Sequence, residues 1–392
     1  MKHDWEYKKL GEVCESDLGK TLNQSKDTGK MQSYLCSINI QWDAIDLSTI
    51  KQARFEISEF DRYSVKSGDL LICEGGDTGR AAIWEGEPML YQNALHRVRF
   101  NDNVNARFAL LYLRYLKNNG DIDSKYSKGV TIKHLVKSSL NSIPLPLPPL
   151  STQQSIVSEL DSLSKIIADC KETLKDYDAL EQSIFYDMFG DPVKNEKGWE
   201  VKKLGEMCDI ITKGTTPTTV GFQFLSEGIN FVKVESFEEG KLNATKFAYI
   251  SKECHEALRR SQLCVNDILI CIAGATVGKL AIVTEDILPA NTNQACCLIR
   301  LKNEYAISRD YIFNVLQSDY IKNFIESLKK GVAQPNLTLE HVRNFNIPNV
   351  PLPLQQQFAS KIEAIEQMKE ETKKALQEAE TLFQARMDYW FN

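Results

Sequence analysis

Apolar residues recur at helical spacing in two long stretches of the chain. In the first stretch the intervals alternate between four and three residues, which is typical of a coiled-coil seam formed by Ile156, Leu160, Leu163, Ile167, Cys170, Leu174 and Tyr177. Gly190-Asp191-Pro192 ends this helix. A similar pattern from residue 358 to 383 predicts a second helix that continues to the C-terminus. Each holds only about three heptads, so we expect the two helices to pack on each other within the chain.

Shorter apolar runs predict strands separated by Gly and Asn turns. These runs cover residues 70–73, 81–84, 268–272, 280–283 and 296–301. Helical patterns also occur near residues 107–117 and 309–328. The regions outside the two long helices are therefore predicted to be mixed α/β domains, which gives an α+β fold overall.

The chain contains an internal duplication with a period of about 200 residues. Residues 5–14 recur as residues 199–208 with eight of ten positions identical. Further matched segments follow in the same order in both halves. We therefore predict a first domain over 1–150, a helix over 151–190, a linker over 191–198, a second domain over 199–353 and a second helix over 354–392.

The net charge of −6 argues at first against a nucleic-acid partner. The excess acid lies in the helical segments, however, because residues 1–150 hold 20 basic and 19 acidic side chains and residues 199–353 hold 17 of each. Any phosphate-binding surface must therefore be a local patch on a neutral domain.

Several classes of protein are not supported by the sequence. The ten cysteines are scattered without CxxC spacing and the five histidines form no HExxH motif, so we expect reduced cysteines and no metal. No apolar run approaches membrane-spanning length and the first residues lack a secretory pattern, so we expect a cytoplasmic protein without a membrane partner.

Of two catalytic motifs, one is incomplete and the other does not occur. The Gly274–Lys279 segment resembles a P-loop but is one residue short, and Leu280 stands where the magnesium-binding hydroxyl belongs. No Asn/Asp-Pro-Pro-aromatic motif of an adenine methyltransferase occurs. The alternatives of a single-chain DNA-modifying enzyme and of a coiled-coil scaffold without a DNA role stay open, although a scaffold does not explain two divergent domains on one framework.

The repeated motifs resemble those of the specificity subunit of Type I restriction-modification systems. They are W-E-x-K-K-L-G-E at residues 5 and 199, G-D-L-L at 68 and N-D-I-L at 266, I-P at 143 and 347, and P-L-x-x-Q-Q at 149 and 351. In duplicate and in order, they cover the whole chain. The combination is specific, although no single motif is decisive.

This resemblance implies two target-recognition domains related by pseudo-two-fold symmetry and separated by an antiparallel pair of spacer helices. Each domain would read one half of a bipartite target in double-stranded DNA. The helices would set the spacing and dock two methyltransferase subunits, and restriction subunits would join them. The chain itself would be non-catalytic and free of cofactors, because S-adenosylmethionine, ATP and magnesium would bind the partner subunits. The 34 residues 156–189 would span about 50 Å, or about 15 base pairs.

Two loops that follow the matched openings, residues 19–28 and 214–222, differ almost completely and are predicted to read bases. The candidate contacts are Lys20, Asn23, Gln24 and Lys26 in the first and Lys213, Thr215, Thr216 and Thr218 in the second. Ordinary surface turns are an equally good interpretation.

Three further pairs of segments are candidates for DNA contact. Glycine-rich loops could let backbone N–H groups approach phosphate beside Thr78, Arg80, Thr276 and Lys279, or could simply be tight hairpins. Side-chain amides could recognise adenine or could cap loops internally; they belong to Gln92, Asn93, Asn291, Asn293 and Gln294. Phosphate contacts or an ordinary solvated face are the two interpretations of Lys128, Lys330 and Gln334.

Overall fold

The computed structural model describes residues 4–23, 25–129, 133–192, 194–302, 308–329 and 336–392. Two compact units form: unit 1 comprises Met1–Glu172 with Thr372–Asn392, and unit 2 comprises Thr173–Glu371. Each unit therefore takes part of each long helix. The C-terminal segment of the chain completes the unit that the N-terminal segment begins.

Unit 1 contains three small sheets, a hairpin and two short helices before the first long helix. Its elements are β1 (Tyr7–Lys9), β2 (Cys14–Leu18), β3 (Lys30–Leu35), β4 (Ile40–Gln41), β5 (Ala44–Ile45), β6 (Lys51–Phe55), β7 (Ser64–Val65), β8 (Leu70–Cys73), β9 (Ala81–Ile83), β10 (Met89–Tyr91), β11 (Leu95–Phe100), α1 (Ala106–Asn118), α2 (Lys137–Asn141), β12 (Pro144–Pro146) and α3 (Leu150–Phe189). The strand orders are β1-β12, β6-β3-β10-β7, β2-β11-β8-β9 and β4-β5.

Unit 2 repeats this plan in the second half of the sequence. Its elements are β13 (Val201–Lys203), β14 (Cys208–Lys213), β15 (Ile229–Val232), β16 (Phe237–Glu238), β17 (Lys241–Leu242), β18 (Ala248–Ile250), α4 (Lys252–Ala257), β19 (Ile268–Cys271), β20 (Leu280–Ile282), β21 (Ala290–Thr292), β22 (Cys296–Leu301), α5 (Arg309–Gln317), α6 (Asp319–Lys329), α7 (Leu339–Arg343), β23 (Asn346–Pro348) and α8 (Leu352–Phe391). The β14-β22-β19-β20 sheet matches β2-β11-β8-β9 of unit 1. The predicted mixed α/β domains are confirmed.

Strand β8 of unit 1 and the matching strand β19 of unit 2 are buried on both faces. Alternate residues of a strand point to opposite faces. Leu70 and Ile72 of β8 pack in the core that contains α1, whereas Leu71 packs in the core that contains the second sheet. In unit 2, the neighbouring residues Ile268 and Leu269 likewise pack in two different cores. A short apolar run thus supplies two cores at once, which is why neither run alternates with polar residues.

Residues 309–328 were predicted as one helical stretch, but the structure divides them. Ser318 adopts an extended backbone with φ −62° and ψ 157° between α5 and α6. Its hydroxyl donates to the carbonyl of Val315 at 2.6 Å. Such local side-chain hydrogen bonds compete with helix continuation, so the break follows from serine chemistry that apolar periodicity does not report.

The two long helices pack on each other, as the short heptad runs predicted. In unit 1, Glu159 pairs with Arg386 and Lys171 pairs with Glu380. In unit 2, Phe185 of α3 packs against Phe358 of α8 with ring centroids 5.9 Å apart. In unit 2, Glu181 of α3 also pairs with Lys369 of α8. In both units the position on α8 falls as the position on α3 rises, so the helix pair is antiparallel within each unit.

Two of the duplicated motifs attach the long helices to the domains. In the Gln-Gln motif of unit 1, Gln153 is fully buried and accepts from the backbone N–H of Asn105 at 2.8 Å while donating to the Pro148 carbonyl at 2.9 Å. Gln355 of unit 2 accepts from Ser308 and donates to Val350 in the same manner.

The tryptophans of the opening motif contact the ends of the long helices. Trp199 donates from its indole N–H to the carbonyl of Phe189 at 2.9 Å, at the end of α3. Trp5 stacks on Trp390, at the end of α8, with ring centroids 6.3 Å apart. Each copy of the motif therefore contacts one helix end within its own unit.

Candidate nucleic-acid interface

The loops predicted to contact DNA gather at one end of the sheet β2-β11-β8-β9 in unit 1 and of the matching sheet β14-β22-β19-β20 in unit 2. In unit 1, β2 ends at Leu18 and β8 ends at Cys73, while β9 starts at Ala81 and β11 starts at Leu95. Neighbouring strands are antiparallel. The end of one strand therefore lies beside the start of the next, so the connections leave the sheet from a common end. We call this end of either unit the loop end.

The candidate reading loop of unit 1 runs against the amide-bearing segment. The N–H of Lys20 donates to the Tyr91 carbonyl at 3.1 Å, and the N–H of Asn93 donates to the Lys20 carbonyl at 3.1 Å. A Cβ at Gly19 would lie 2.4 Å from the Tyr91 carbonyl oxygen. Only glycine permits this close approach, which explains its position at the start of the loop.

Unit 2 makes the same crossing with different side chains. The N–H of Thr215 donates to the Thr292 carbonyl at 3.2 Å, and a Cβ at Gly214 would lie 1.9 Å from that oxygen. The hydroxyl of Thr216 bonds the side chain of Gln294. The structure thus brings together two segments that sequence reasoning had treated separately.

The glycine-rich loops adjoin the same place, and each connects two neighbouring antiparallel strands, β8 to β9 in unit 1 and β19 to β20 in unit 2. The Glu74 N–H bonds the Ala94 carbonyl at 2.9 Å in unit 1, and the Ile272 N–H bonds the Ala295 carbonyl at 2.8 Å in unit 2. Gly79 and Gly278 have φ of 86° and 95°, a region that favours glycine. These glycines are accounted for by the turn alone.

Lys20 is held inside unit 1. Its ammonium donates to Glu59 at 2.7 Å and to the Arg54 carbonyl at 3.1 Å, and lies 3.4 Å from Asp27. Burial opposes the charged form, but the two carboxylates outweigh it and raise the pKa of Lys20. The side chain is a buried ion-pair partner in this structure.

Two other candidates are also buried and hydrogen-bonded. Thr78 donates to the Lys133 carbonyl at 3.1 Å. Asn291 donates to the Leu258 carbonyl at 3.1 Å and bonds His255 through its carbonyl oxygen. For Asn291 the structure matches the alternative interpretation, an amide that caps loops internally.

The two cations of the glycine-rich loops differ in exposure. Arg80 is partly buried and donates to the Ser37 carbonyl at 2.9 Å. Lys279 is exposed at the corresponding place in unit 2. Thr276 is half-buried, with its hydroxyl 3.3 Å from the sulfur of Cys271.

The remaining candidates expose their polar side chains fully or in part. These residues are Asn23, Lys26, Gln92, Asn93 and Lys128 in unit 1, and Lys213, Thr215, Thr216, Thr218, Asn293 and Gln294 in unit 2. Gln24, Lys330 and Gln334 lie outside the described residues.

A matched ion pair, at the opposite end of each of these sheets from the loop end, was not predicted from the sequence. Arg99 binds both carboxylate oxygens of Asp69 at 2.7 and 2.6 Å, and Arg300 binds those of Asp267 at 2.7 Å each. Burial raises the pKa of Asp267, while Arg300 acts in the opposite direction. The signal was present in the sequence, because both aspartates belong to the duplicated D-L-L and D-I-L motifs and both arginines to the matched last strand.

The described parts of the chain hold no group of His, Cys, Asp or Glu side chains arranged for a metal ion. In the same parts of the chain, none of the helices is both long and apolar enough to cross a membrane.

The comparisons with known proteins agree with the duplicated architecture. The family model of the Type I restriction modification DNA specificity domain matches residues 2–176 and again residues 196–381. The EcoBI specificity subunit of Escherichia coli is 26% identical over 328 residues, covering 77% of this chain and 68% of that protein. The MjaVIII specificity subunit of Methanocaldococcus jannaschii is 22% identical over 398 residues, covering 97% and 90%.

Solved structures show the same fold. The S subunit of a Type I restriction-modification system from M. genitalium superposes with a TM-score of 0.59 at 14% identity, covering 98% of this chain and 95% of that one. A chain from a study of assembly and conformational transition of the Type I system gives a TM-score of 0.62 at 20% identity, covering 99% and 97%. With two matches of the family model that together span most of its length, the chain belongs to the family of Type I restriction-modification specificity subunits.

Proposed function

We propose that residues 1–150 and 199–353 are target-recognition domains that read the two halves of a bipartite DNA target through their loop ends. The observation that carries the proposal is the matched crossing of two loops in both units, at Lys20 with Tyr91 and at Thr215 with Thr292. The framework holds the same backbone geometry, while the exposed side chains differ. Because base edges are recognised by side-chain hydrogen bonds, the two half-sites should have different sequences.

The recognition role is assigned to the exposed candidates rather than to the buried ones. In unit 1 the side-chain amides of Gln92 and Asn93 are partly exposed, and in unit 2 those of Asn293 and Gln294 are. An Asn or Gln side chain can bind the major-groove edge of adenine through two hydrogen bonds, worth about 1–3 kcal/mol of discrimination. Lys128 and Lys279 are suited to backbone phosphate.

The chain supplies recognition, and the chemistry belongs to its partners. Two methyltransferase subunits would dock along the helix pair of α3 and α8 and bring S-adenosylmethionine, and restriction subunits would bring ATP and magnesium. The helix pair would set the distance between the half-sites. The resemblance to specificity subunits and the two long antiparallel helices support this assignment.

The first test is methylome sequencing of a host that lacks adenine methylation. The chain is expressed with its neighbouring methyltransferase, and each protein is also expressed alone. A split motif methylated only when both are present is the expected result. Methylation by the chain alone would show a catalytic site within it, and no new methylation beside a partner proven active would favour the scaffold interpretation.

The second test assigns the half-sites to the units. Asn93→Ala should relax discrimination at one base pair of one half-site by about 5- to 150-fold, the equivalent of 1–3 kcal/mol, and Gln294→Ala should do the same in the other half-site. Gln154→Ala, which removes an exposed amide from α3, is the matched control and should change neither. If both recognition variants alter the same half-site, the assignment of one half-site to each unit is wrong.

A further inference from the structure

An arginine-rich cleft lies beside β14 in unit 2, and none of the residues assigned above lines it. Its volume is about 400 Å³. The charged residues that line it are Arg259, Arg260, Arg300, Arg343 and Asp209. We call this feature the arginine cleft.

The positive charge of the cleft is only partly neutralised. Arg300 donates two hydrogen bonds to the carboxylate of Asp267, which balances its charge. Arg343 uses one donor on the Ile211 carbonyl at 2.6 Å. Arg259 and Arg260 are exposed, and neither side chain bonds another described residue. Three guanidinium groups therefore face one carboxylate, that of Asp209.

Three separate segments assemble the cleft. Arg259 and Arg260 lie on a 3-10 turn, Arg259–Ser261, that follows α4. Arg343 is the last residue of α7. Its Cβ packs against Gly205, and lies 3.1 Å from the position that a Cβ added to Gly205 would take. The floor is the outer strand β14. The arginines are thus positioned by elements of the fold rather than by one mobile loop.

The cleft leads directly to the loop end. Its floor includes Thr212, and the candidate reading loop begins at Gly214. Two residues of extended strand cover roughly 7 Å, which is about two base-pair steps of 3.4 Å. A duplex whose bases are contacted by residues 214–222 therefore has its backbone within reach of the cleft.

The matching surface of unit 1 has a different character. Asn141 packs against Gly11, as Arg343 packs against Gly205, and it accepts a hydrogen bond from Ser16 at 2.6 Å. Nearby, the carboxylate of Asp17 pairs with Lys137 at 2.8 Å and with Arg97 at 3.3 Å. The cleft is therefore a feature that unit 2 does not share with unit 1.

We propose that Arg259, Arg260 and Arg343 form a binding site for backbone phosphates of the duplex, beside the half-site that unit 2 reads. Planar guanidinium forks match phosphate oxygens in geometry as well as in charge. This proposal rests on the DNA-reading function proposed above. It adds a sequence-independent anchor on one side of the target.

The test measures DNA affinity as a function of salt, using the chain in complex with its methyltransferase partner. Each phosphate contact contributes about 0.9 to the slope of log affinity against log salt. The double variant Arg259→Gln/Arg260→Gln should lower that slope by about 1.8 if each arginine holds one phosphate. Between 50 and 200 mM salt, the affinity of the variant should then fall about 12-fold less than that of the unaltered complex.

Two variants control for charge and for shape. Lys252→Gln/Lys322→Gln removes the same number of exposed positive charges from unit 2 outside the cleft, and should leave the slope unchanged. Arg259→Lys/Arg260→Lys keeps the charge and should keep most of the slope. The ratio of affinities for the target and for a duplex with a mutated half-site should be the same in all variants, because phosphate contacts carry no sequence information.

The outcomes separate this proposal from the function on which it rests. An unaltered complex that neither binds nor methylates a split target contradicts the function. If the unaltered complex binds and methylates a split target, but the Arg259→Gln/Arg260→Gln variant shows the same slope of log affinity against log salt, the phosphate anchor is contradicted. Inorganic pyrophosphate that binds the unaltered complex and not the variant, without any change of the DNA slope, would assign the cleft to a free phosphate-bearing ligand and overturn the proposal.

Discussion

The C-terminal end of α8 should determine the stability of unit 1, although unit 1 begins at the N-terminus. Phe391 is 5% exposed and packs against three aromatic rings of α1. Its ring centroid lies 5.5 Å from Phe108, 5.4 Å from Tyr112 and 5.6 Å from Tyr115. Phe391→Ala therefore removes the centre of an aromatic cluster that joins two distant parts of the chain.

The expected cost is set by core burial. A buried Phe→Ala substitution costs about 3–5 kcal/mol, because apolar contacts are lost and a cavity remains. A domain has a total stability of about 5–15 kcal/mol. Since 1.4 kcal/mol corresponds to a factor of ten, the most protected amides of α1 should exchange about 10²- to 4 × 10³-fold faster.

Hydrogen exchange of the complex with the methyltransferase partner measures this effect within each unit. Ile57→Ala, at 78% exposure in unit 1 and outside the helix pair, is the control and should change protection by less than a factor of about three. Phe189→Ala should act mainly on unit 2, since Phe189 packs on Tyr311 with ring centroids 4.7 Å apart. Unchanged protection of α1 in Phe391→Ala would refute the role of the C-terminal segment in unit 1.

Two further predictions concern the attachment of α3. Gln153→Ala leaves the N–H of Asn105 without its acceptor and should lower the free energy of unfolding, measured in urea, by about 1–3 kcal/mol. Gln154→Ala should change it by less than about 0.5 kcal/mol. Equal effects of the two substitutions would contradict the anchoring role of Gln153. The hydrogen bond from Arg386 lowers the pKa of Glu159, although burial opposes it. The stabilisation from this ion pair is therefore fully present above the pKa of Glu159 in the unfolded chain, near 4.3, and is lost as the pH falls through the lower pKa of the folded protein. The difference in unfolding free energy between the unaltered chain and Glu159→Gln should thus be constant near neutral pH and shrink in acid. A difference that grows in acid would refute this reasoning.

Hydrophobic periodicity predicted the main helices and strands because it depends on the local geometry of the backbone. The run at residues 70–73 is β8, and the seam that starts at Ile156 is α3. The break at Ser318 was missed because it depends on one hydroxyl bonded to a carbonyl three residues earlier, which no apolar pattern records.

The exposure of the candidate residues could not be predicted from the sequence, because residue type does not reveal burial. Lys20 and Lys279 are both cations of candidate loops. Only the tertiary structure places Glu59, 39 residues away in sequence, against the ammonium of Lys20. Likewise the amides of Asn291 and Asn293 are two positions apart on one strand end, yet the first is buried and the second partly exposed.

The sequence by itself determined the duplicated framework, the mixed α/β domains and the helix pair, since these depend on repeats and on periodicities that are read along the chain. Only the tertiary structure decided that α8 completes unit 1, which polar side chains stay available at the loop ends, and that Arg259 and Arg343 line one cleft. The physical reason is the same in each case. Each outcome depends on which distant segments of the chain come into contact, as Phe391 does with α1 and Glu59 with Lys20, and only the fold brings such segments together.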